Sequence, residues 1–181
     1  MIDAMMISQP WTYWMADDFL DSETLLEVKN IKHILPQQNY GTRLNSNRLF
    51  VNDTNANLYP YLHSLFQSLI CGYYRNFFEQ VTKCDFSNLF PRLEVISDIG
   101  TFYLKPHHDL LEKKLSAIVY TDLHQGTTIY DGVAVHHVVE SKNNRCMFFI
   151  PAPNTMHGYP YTFLHKVRRC LIINYWTYEL P

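Results

Sequence analysis

The sequence has no Cys-x-x-Cys pair: its cysteines, Cys71, Cys84, Cys146 and Cys170, lie far apart. A zinc ribbon or a thioredoxin-type redox site needs that close spacing, so neither has support. No run of about 18 apolar residues occurs, so no transmembrane helix is expected. The N-terminus, MIDAMMISQPWTYWMADDF, lacks the basic region and long apolar stretch of a secretory signal. The expected compartment is therefore the cytoplasm, with the cysteines as reduced thiols. An excess of charge is missing too, with Lys+Arg 15 against Asp+Glu 17 and a formal net charge of −2. That balance gives no footprint for nucleic acid. Internal repeats, low-complexity tracts and linker-like segments are also absent. A chain of 181 residues of this kind is expected to form one domain, residues 1–181, with a sizeable core.

Aromatic residues are plentiful, at 15% with 13 Tyr and 11 Phe, which suits a β-rich fold with a lined pocket. Residues 1–85 read as mostly helical support. DSETLLEVKNIKHIL offers Asp21 as N-cap, Glu23 in the first turn, and Leu25, Val28 and Ile31 at helical spacing. NANLYPYLHSLFQSLICGYYRNFFEQVTK carries Leu58, Leu62, Leu65, Phe66, Leu69, Ile70, Tyr73 and Phe77 with a 3–4 period. Pro60 belongs in its first turn, where a missing N–H costs little. From about residue 90 the pattern changes to short β-prone segments: RLEVISD, TFYLK, LSAIVYTDL, TTIYD, VAVHHVVE, RCMFFIP and RCLIINYWTY. Gly100, Gly126, Gly132, SKNN and PAPNTMHGYP punctuate them. Helices followed by many short strands predict an α+β, mainly β molecule: a sandwich or jelly roll over residues 90–177, backed by the N-terminal helices.

Three potential metal ligands stand out in the β half. In LKPHHDLLEKK (residues 104–114), His107 and Asp109 are two apart. In extended chain they face the same way, while His108 points away. His157, from a distant strand, completes two imidazoles and a carboxylate, a set that suits Fe(II) and leaves coordination positions open. At the start of the apolar CLIINYW run stand Arg168 and Arg169. An arginine entering a buried strand needs an anionic partner, and a carboxylate matches its fork. Arg169 shares a face with Leu171, Ile173 and Tyr175, Arg168 with Cys170, Ile172 and Asn174. Arg169 is preferred, with Arg168 as the rival.

The order HxD, a β-segment, a Gly-Thr turn, NRCMFFIP, NTMHGY and RRCLIINYW resembles the Fe(II)/2-oxoglutarate-dependent oxygenase superfamily, in particular its small prolyl-hydroxylase-like members. The resemblance covers roughly residues 90–177. It implies a double-stranded β-helix, the jelly roll of cupins. It implies His107, Asp109 and His157 as the catalytic metal triad, and Arg169 as the arginine that grips the remote carboxylate of 2-oxoglutarate. Tyr120, in AIVYTDL, falls where several relatives place a tyrosine on that same carboxylate. The implied cofactors are Fe(II), 2-oxoglutarate as co-substrate and O2. The implied reaction is oxidation of a second substrate coupled to release of succinate and CO2. With Asp109 present, hydroxylation or a related oxidation is the expected outcome, because halogenating relatives have a small residue there.

Two other functions compete. A cupin-like isomerase, hydrolase or ligand-binding jelly roll shares the ligand types but has no use for a buried arginine beyond the last ligand. A protein side-chain hydroxylase shares the chemistry. The short chain, without a long peptide-binding insertion, favours a small-molecule substrate, with no nucleic-acid or membrane partner. His136 and His137 face opposite ways in a strand and make a poor second metal site. Trp11, Tyr13 and Trp14 are expected to pack across the β half.

Overall fold

The computed structural model describes residues 2–31, 48–100, 103–123, 126–159 and 164–179. Its order is β1 (Met5–Ile7), β2 (Tyr13–Ala16), α1 (Ser22–Asn30), β3 (Arg48–Val51), α2 (Pro60–Cys71) and α3 (Tyr73–Thr82). Then come β4 (Phe90–Gly100), β5 (Leu104–His107), β6 (Lys113–Tyr120), β7 (Thr128–Asp131), β8 (Ala134–Val138), β9 (Arg145–Phe149), β10 (His157–Tyr159) and β11 (Leu164–Trp176). The strands form two sheets, a larger one ordered β1-β2-β9-β6-β11-β4-β3 and a smaller one ordered β5-β10-β7-β8. Every pairing is antiparallel. This is the jelly-roll architecture expected from the sequence.

The helices begin where side chains or proline ready them. Asp21 accepts the Thr24 N–H at 2.7 Å as N-cap of α1, satisfying one of the orphan donors of the first turn. Pro60 opens α2. The long helical pattern breaks at Gly72, which is extended. A Cβ there would lie 2.9 Å from the Ser68 Cα, so the tight turn into α3 requires glycine. The Ser68 hydroxyl then accepts the Tyr74 N–H at 3.1 Å. The α1 helix ends at Asn30; the rest of the expected helical segment, residues 32–35, lies outside the described residues.

The central strands of the larger sheet are buried on both faces. Its outer face sets Leu93, Val95, Leu115, Ala117, Val119, Leu171, Ile173 and Tyr175 into one cluster with Leu62, Leu65, Leu69, Phe77 and Phe78 of α2 and α3. The Tyr175 hydroxyl donates to the Leu69 carbonyl at 2.7 Å, so the aromatic end of β11 is both packed and hydrogen-bonded to α2. The inner face meets the smaller sheet through Ile96, Tyr120, Met147, Phe149 and Cys170, with Ile129 and Val139 opposite.

The first 85 residues supply three strands of the larger sheet as well as its helices. Strand β2 pairs with β9, matching Trp14 to Phe148, and their rings stack at 5.5 Å. Thus the N-terminal aromatics do pack across the β half, by joining its sheet. The described cysteines form no disulfide, and no described helix is long and apolar enough to cross a membrane.

Candidate active site

His107 ends β5 and His157 begins β10, and the two are directly paired across the strands. Their rings lie 4.4 Å apart. Strand β10 can approach β5 this closely because Gly158 has no side chain: a Cβ there would meet the Leu104 carbonyl oxygen at 2.7 Å. Asp109 follows two residues after β5, with its Oδ2 3.9 Å from His157 Nε2. The ligand atoms of His107, Asp109 and His157 all lie within 4.8 Å of one another, the single cluster of this kind among the described residues. His108 is exposed and outside it.

The surroundings orient each ligand. His107 Nδ1 donates to the Lys105 carbonyl at 2.8 Å, and His157 Nδ1 donates to the Thr155 carbonyl at 2.9 Å. A carbonyl only accepts, so both imidazoles carry their proton on Nδ1 and leave the Nε2 lone pair for a metal. Asp109 is held at both oxygens: Lys113 Nζ donates to Oδ1 at 2.8 Å and the Ser116 hydroxyl to Oδ2 at 2.5 Å. Ser116 Oγ also lies 3.1 Å from Asn174 Oδ1. A hydroxyl has one proton, and the shorter, charge-assisted bond to Asp109 takes it.

These contacts set the protonation states. Burial pushes the Asp109 carboxyl up, but Lys113, His157 and Ser116 together hold it down at about 2. Burial drives the His157 imidazole down to about 4, against the pull of Asp109. Near neutrality the cluster therefore presents a carboxylate and, at His157, a neutral ring, the forms that bind metal.

The cluster opens into a cavity of about 450 Å³. Apolar walls come from Ile96, Ile118, Met147, Phe149, Ile172 and Trp176. Arg168 also lines it, 4% exposed. It is matched across the strands with Asp98 and donates from Nη1 to Asp98 Oδ2 at 2.6 Å, while its guanidinium lies 4.3 Å from the centre of the Tyr159 ring. Burial opposes its charge, and the surrounding groups, Asp98 among them, outweigh that and raise its pKa. Farther along the same wall, Glu94 binds both Arg48 and Arg92.

The expectation that Arg169 lies in the pocket is corrected by this geometry. Successive residues of β11 point to opposite faces, and it is the Arg168 face, with Ile172, Asn174 and Trp176, that turns inward. Arg169 turns outward and donates from Nη1 to the Lys29 carbonyl at 3.2 Å, one of the last carbonyls of α1 that the helix itself leaves without a donor. Tyr120 is 1% exposed. Its hydroxyl lies 2.7 Å from Thr127 Oγ1 and accepts the Thr127 N–H at 3.2 Å. It stands behind Thr127, which lines the cavity, rather than at the wall. His137 bonds the Tyr13 hydroxyl at 2.6 Å, a packing role in keeping with the sequence reading.

Sequence reasoning missed Lys113, Ser116, Asn174, Asp98 and Glu94 as cavity residues. One signal was available: Asn174 is the polar residue in an apolar strand, and it shares a face with Arg168.

No family model matches the sequence, and no curated protein matches it. Solved structures do. A prolyl 4-hydroxylase from Phytophthora capsici superposes with a TM-score of 0.65 at 16% identity, over 91% of this chain and 58% of that one. A viral collagen prolyl hydroxylase from Paramecium Bursaria Chlorella virus-1, solved as its 2-oxoglutarate complex, gives 0.59 at 12% identity over 92% and 96%. SnoN, an alpha-ketoglutarate-dependent epimerase from nogalamycin biosynthesis, gives 0.60 at 15% identity over 91% and 76%. The chain thus has the double-stranded β-helix fold of the Fe(II)/2-oxoglutarate-dependent oxygenases.

Proposed function

We propose that this protein is an Fe(II)- and 2-oxoglutarate-dependent oxygenase that hydroxylates a small molecule. One observation carries the reading: a His107–Asp109–His157 cluster and a buried arginine, Arg168, line the same cavity in a fold shared with such enzymes. Two imidazoles and one carboxylate suit Fe(II), with coordination positions left over. Bound there, iron supplies the oxidation, coupling conversion of 2-oxoglutarate and O2 to succinate and CO2 with oxidation of a second substrate.

The chain's own groups do the rest. His107 and His157 offer Nε2 with the opposite proton fixed on a backbone carbonyl. Lys113 and Ser116 keep Asp109 ionised and aimed at the cluster. Arg168 receives the remote carboxylate of the co-substrate. The apolar wall excludes water from the reacting groups. A cavity of about 450 Å³ is of small-ligand size and must also hold the co-substrate, which supports a compact prime substrate over a large one.

The test is succinate formation from 2-oxoglutarate in the presence of Fe(II), O2 and a panel of small metabolites and prolyl peptides. Succinate should depend on Fe(II), disappear in Asp109→Ala, and rise most with a member of the small-molecule set. Folded, Fe(II)-binding protein that forms no succinate with any of them contradicts the reading. Strongest stimulation by a peptide contradicts the substrate class.

A further inference from the structure

The arginine of the cavity already has a carboxylate. Asp98 is 1% exposed and Arg168 4%, the two are cross-strand partners on the inner face, and their contact is 2.6 Å. The Tyr159 ring against the guanidinium limits how far it can turn away. We propose that Asp98 is a specificity-determining residue for the co-substrate: an internal carboxylate with which the remote carboxylate of any 2-oxo acid must share Arg168.

This rests on the oxygenase reading above and adds a consequence for which acids the site accepts. A second carboxylate reaching Arg168 has two courses. It displaces Asp98 and breaks a buried ion pair, or it binds beside Asp98 and meets like charge at close range. Both offset the gain of the new contact. The remote carboxylate therefore contributes little to binding, and the site tolerates 2-oxo acids that lack it. Asp98 acts through Arg168 and is a positioning residue.

The experiment is equilibrium binding to the full chain loaded with Mn(II), measured by calorimetry for 2-oxoglutarate and for 2-oxopentanoate, which has the same number of carbons but no remote carboxylate. The ratio of the two affinities isolates the carboxylate and cancels general effects of a variant on the metal site. An unshared buried guanidinium–carboxylate contact is worth roughly 30-fold or more in affinity, so the wild-type ratio should fall below about 30. In Asp98→Asn, which keeps the shape and removes the charge, the ratio should rise by about tenfold or more. A smaller rise, or a fall, overturns the proposal. Should Asp98→Asn fail to fold, the wild-type ratio decides: below about 30 supports the sharing of Arg168, and above it overturns it.

Arg168→Met separates the role of Arg168 from that of Asp98. If it loses 2-oxoglutarate while Asp98→Asn leaves the ratio unchanged, the oxygenase reading stands and the role of Asp98 falls. If neither 2-oxo acid binds the Mn(II)-loaded wild type, both fall.

Discussion

His107 and His108 are neighbours with opposite fates, because alternate residues of an extended chain face opposite ways. His107 joins the cluster and His108 is exposed. Mn(II) titration should therefore find one site in the wild type. Loss of an outer-shell partner costs about 10–100-fold in metal affinity, and His107→Ala, Asp109→Ala and His157→Ala should each exceed that, while His108→Ala stays near the wild-type value. The same parity rule separates the arginines: Arg168→Ala, which removes the guanidinium between Asp98 and the co-substrate, should weaken 2-oxoglutarate binding in calorimetry, whereas Arg169→Ala should leave it intact and lower the melting temperature through the lost cap on α1. Titration of the cluster also makes the metal-free protein acid-sensitive. His157 falls from 6.5 in the unfolded chain to about 4 in the fold, so the unfolded state takes up its proton first. Stability is full above about pH 6.5 and declines as pH drops toward 4. Asp109, lowered from 3.8 to about 2, removes a second contribution between those values. Thermal melts across pH 7 to 4 should show the first decline, and His157→Phe should flatten it.

At the scale of elements, the site depends on how close β5 and β10 lie. Gly158→Ala would place a methyl 2.7 Å from the Leu104 carbonyl oxygen. The strands must part at a cost of about 1–3 kcal/mol, carrying His107 away from His157. A lower melting temperature together with weaker Mn(II) binding checks this; a Gly158→Ala protein with normal metal affinity contradicts it. A second joint ties the N-terminal segment to the turn before β9. Asn144, with φ of 63°, accepts the Leu20 N–H and donates to the Leu20 carbonyl, each at 2.8 Å. Asn144→Ala leaves both buried backbone groups without that partner and should cost about 2–4 kcal/mol in urea denaturation. Long β-prone apolar runs were legible in the sequence, as with β4, β6 and β11, and so was the helical span of α2 and α3 from its 3–4 period. Strands β1, β2, β3 and β10 were not. They have three or four residues each in segments without apolar alternation, and they are strands because longer neighbours pair with them.

For the molecule as a whole, two burying faces explain what the sequence concealed. A central strand such as β11 packs on helices on one side and on the cavity on the other, so both of its faces are rich in apolar residues. Periodicity alone then cannot say which face is inward, and the aromatic alignment of Leu171, Ile173 and Tyr175 pointed to the helix side. The metal cluster was legible because histidine and aspartate are scarce in strands and the order of the three ligands is informative. Asp98 was not, since only the β4–β11 register brings it beside Arg168. The same assembly of helix-backed sheet and smaller sheet sets the metal cluster and Arg168 on one cavity. A crystal structure of the protein with Mn(II) and 2-oxoglutarate tests it most directly. One ion should be held by His107, Asp109 and His157, with the remote carboxylate of the co-substrate at Arg168 next to Asp98. An ion held elsewhere, or a remote carboxylate seated away from Arg168, would contradict it.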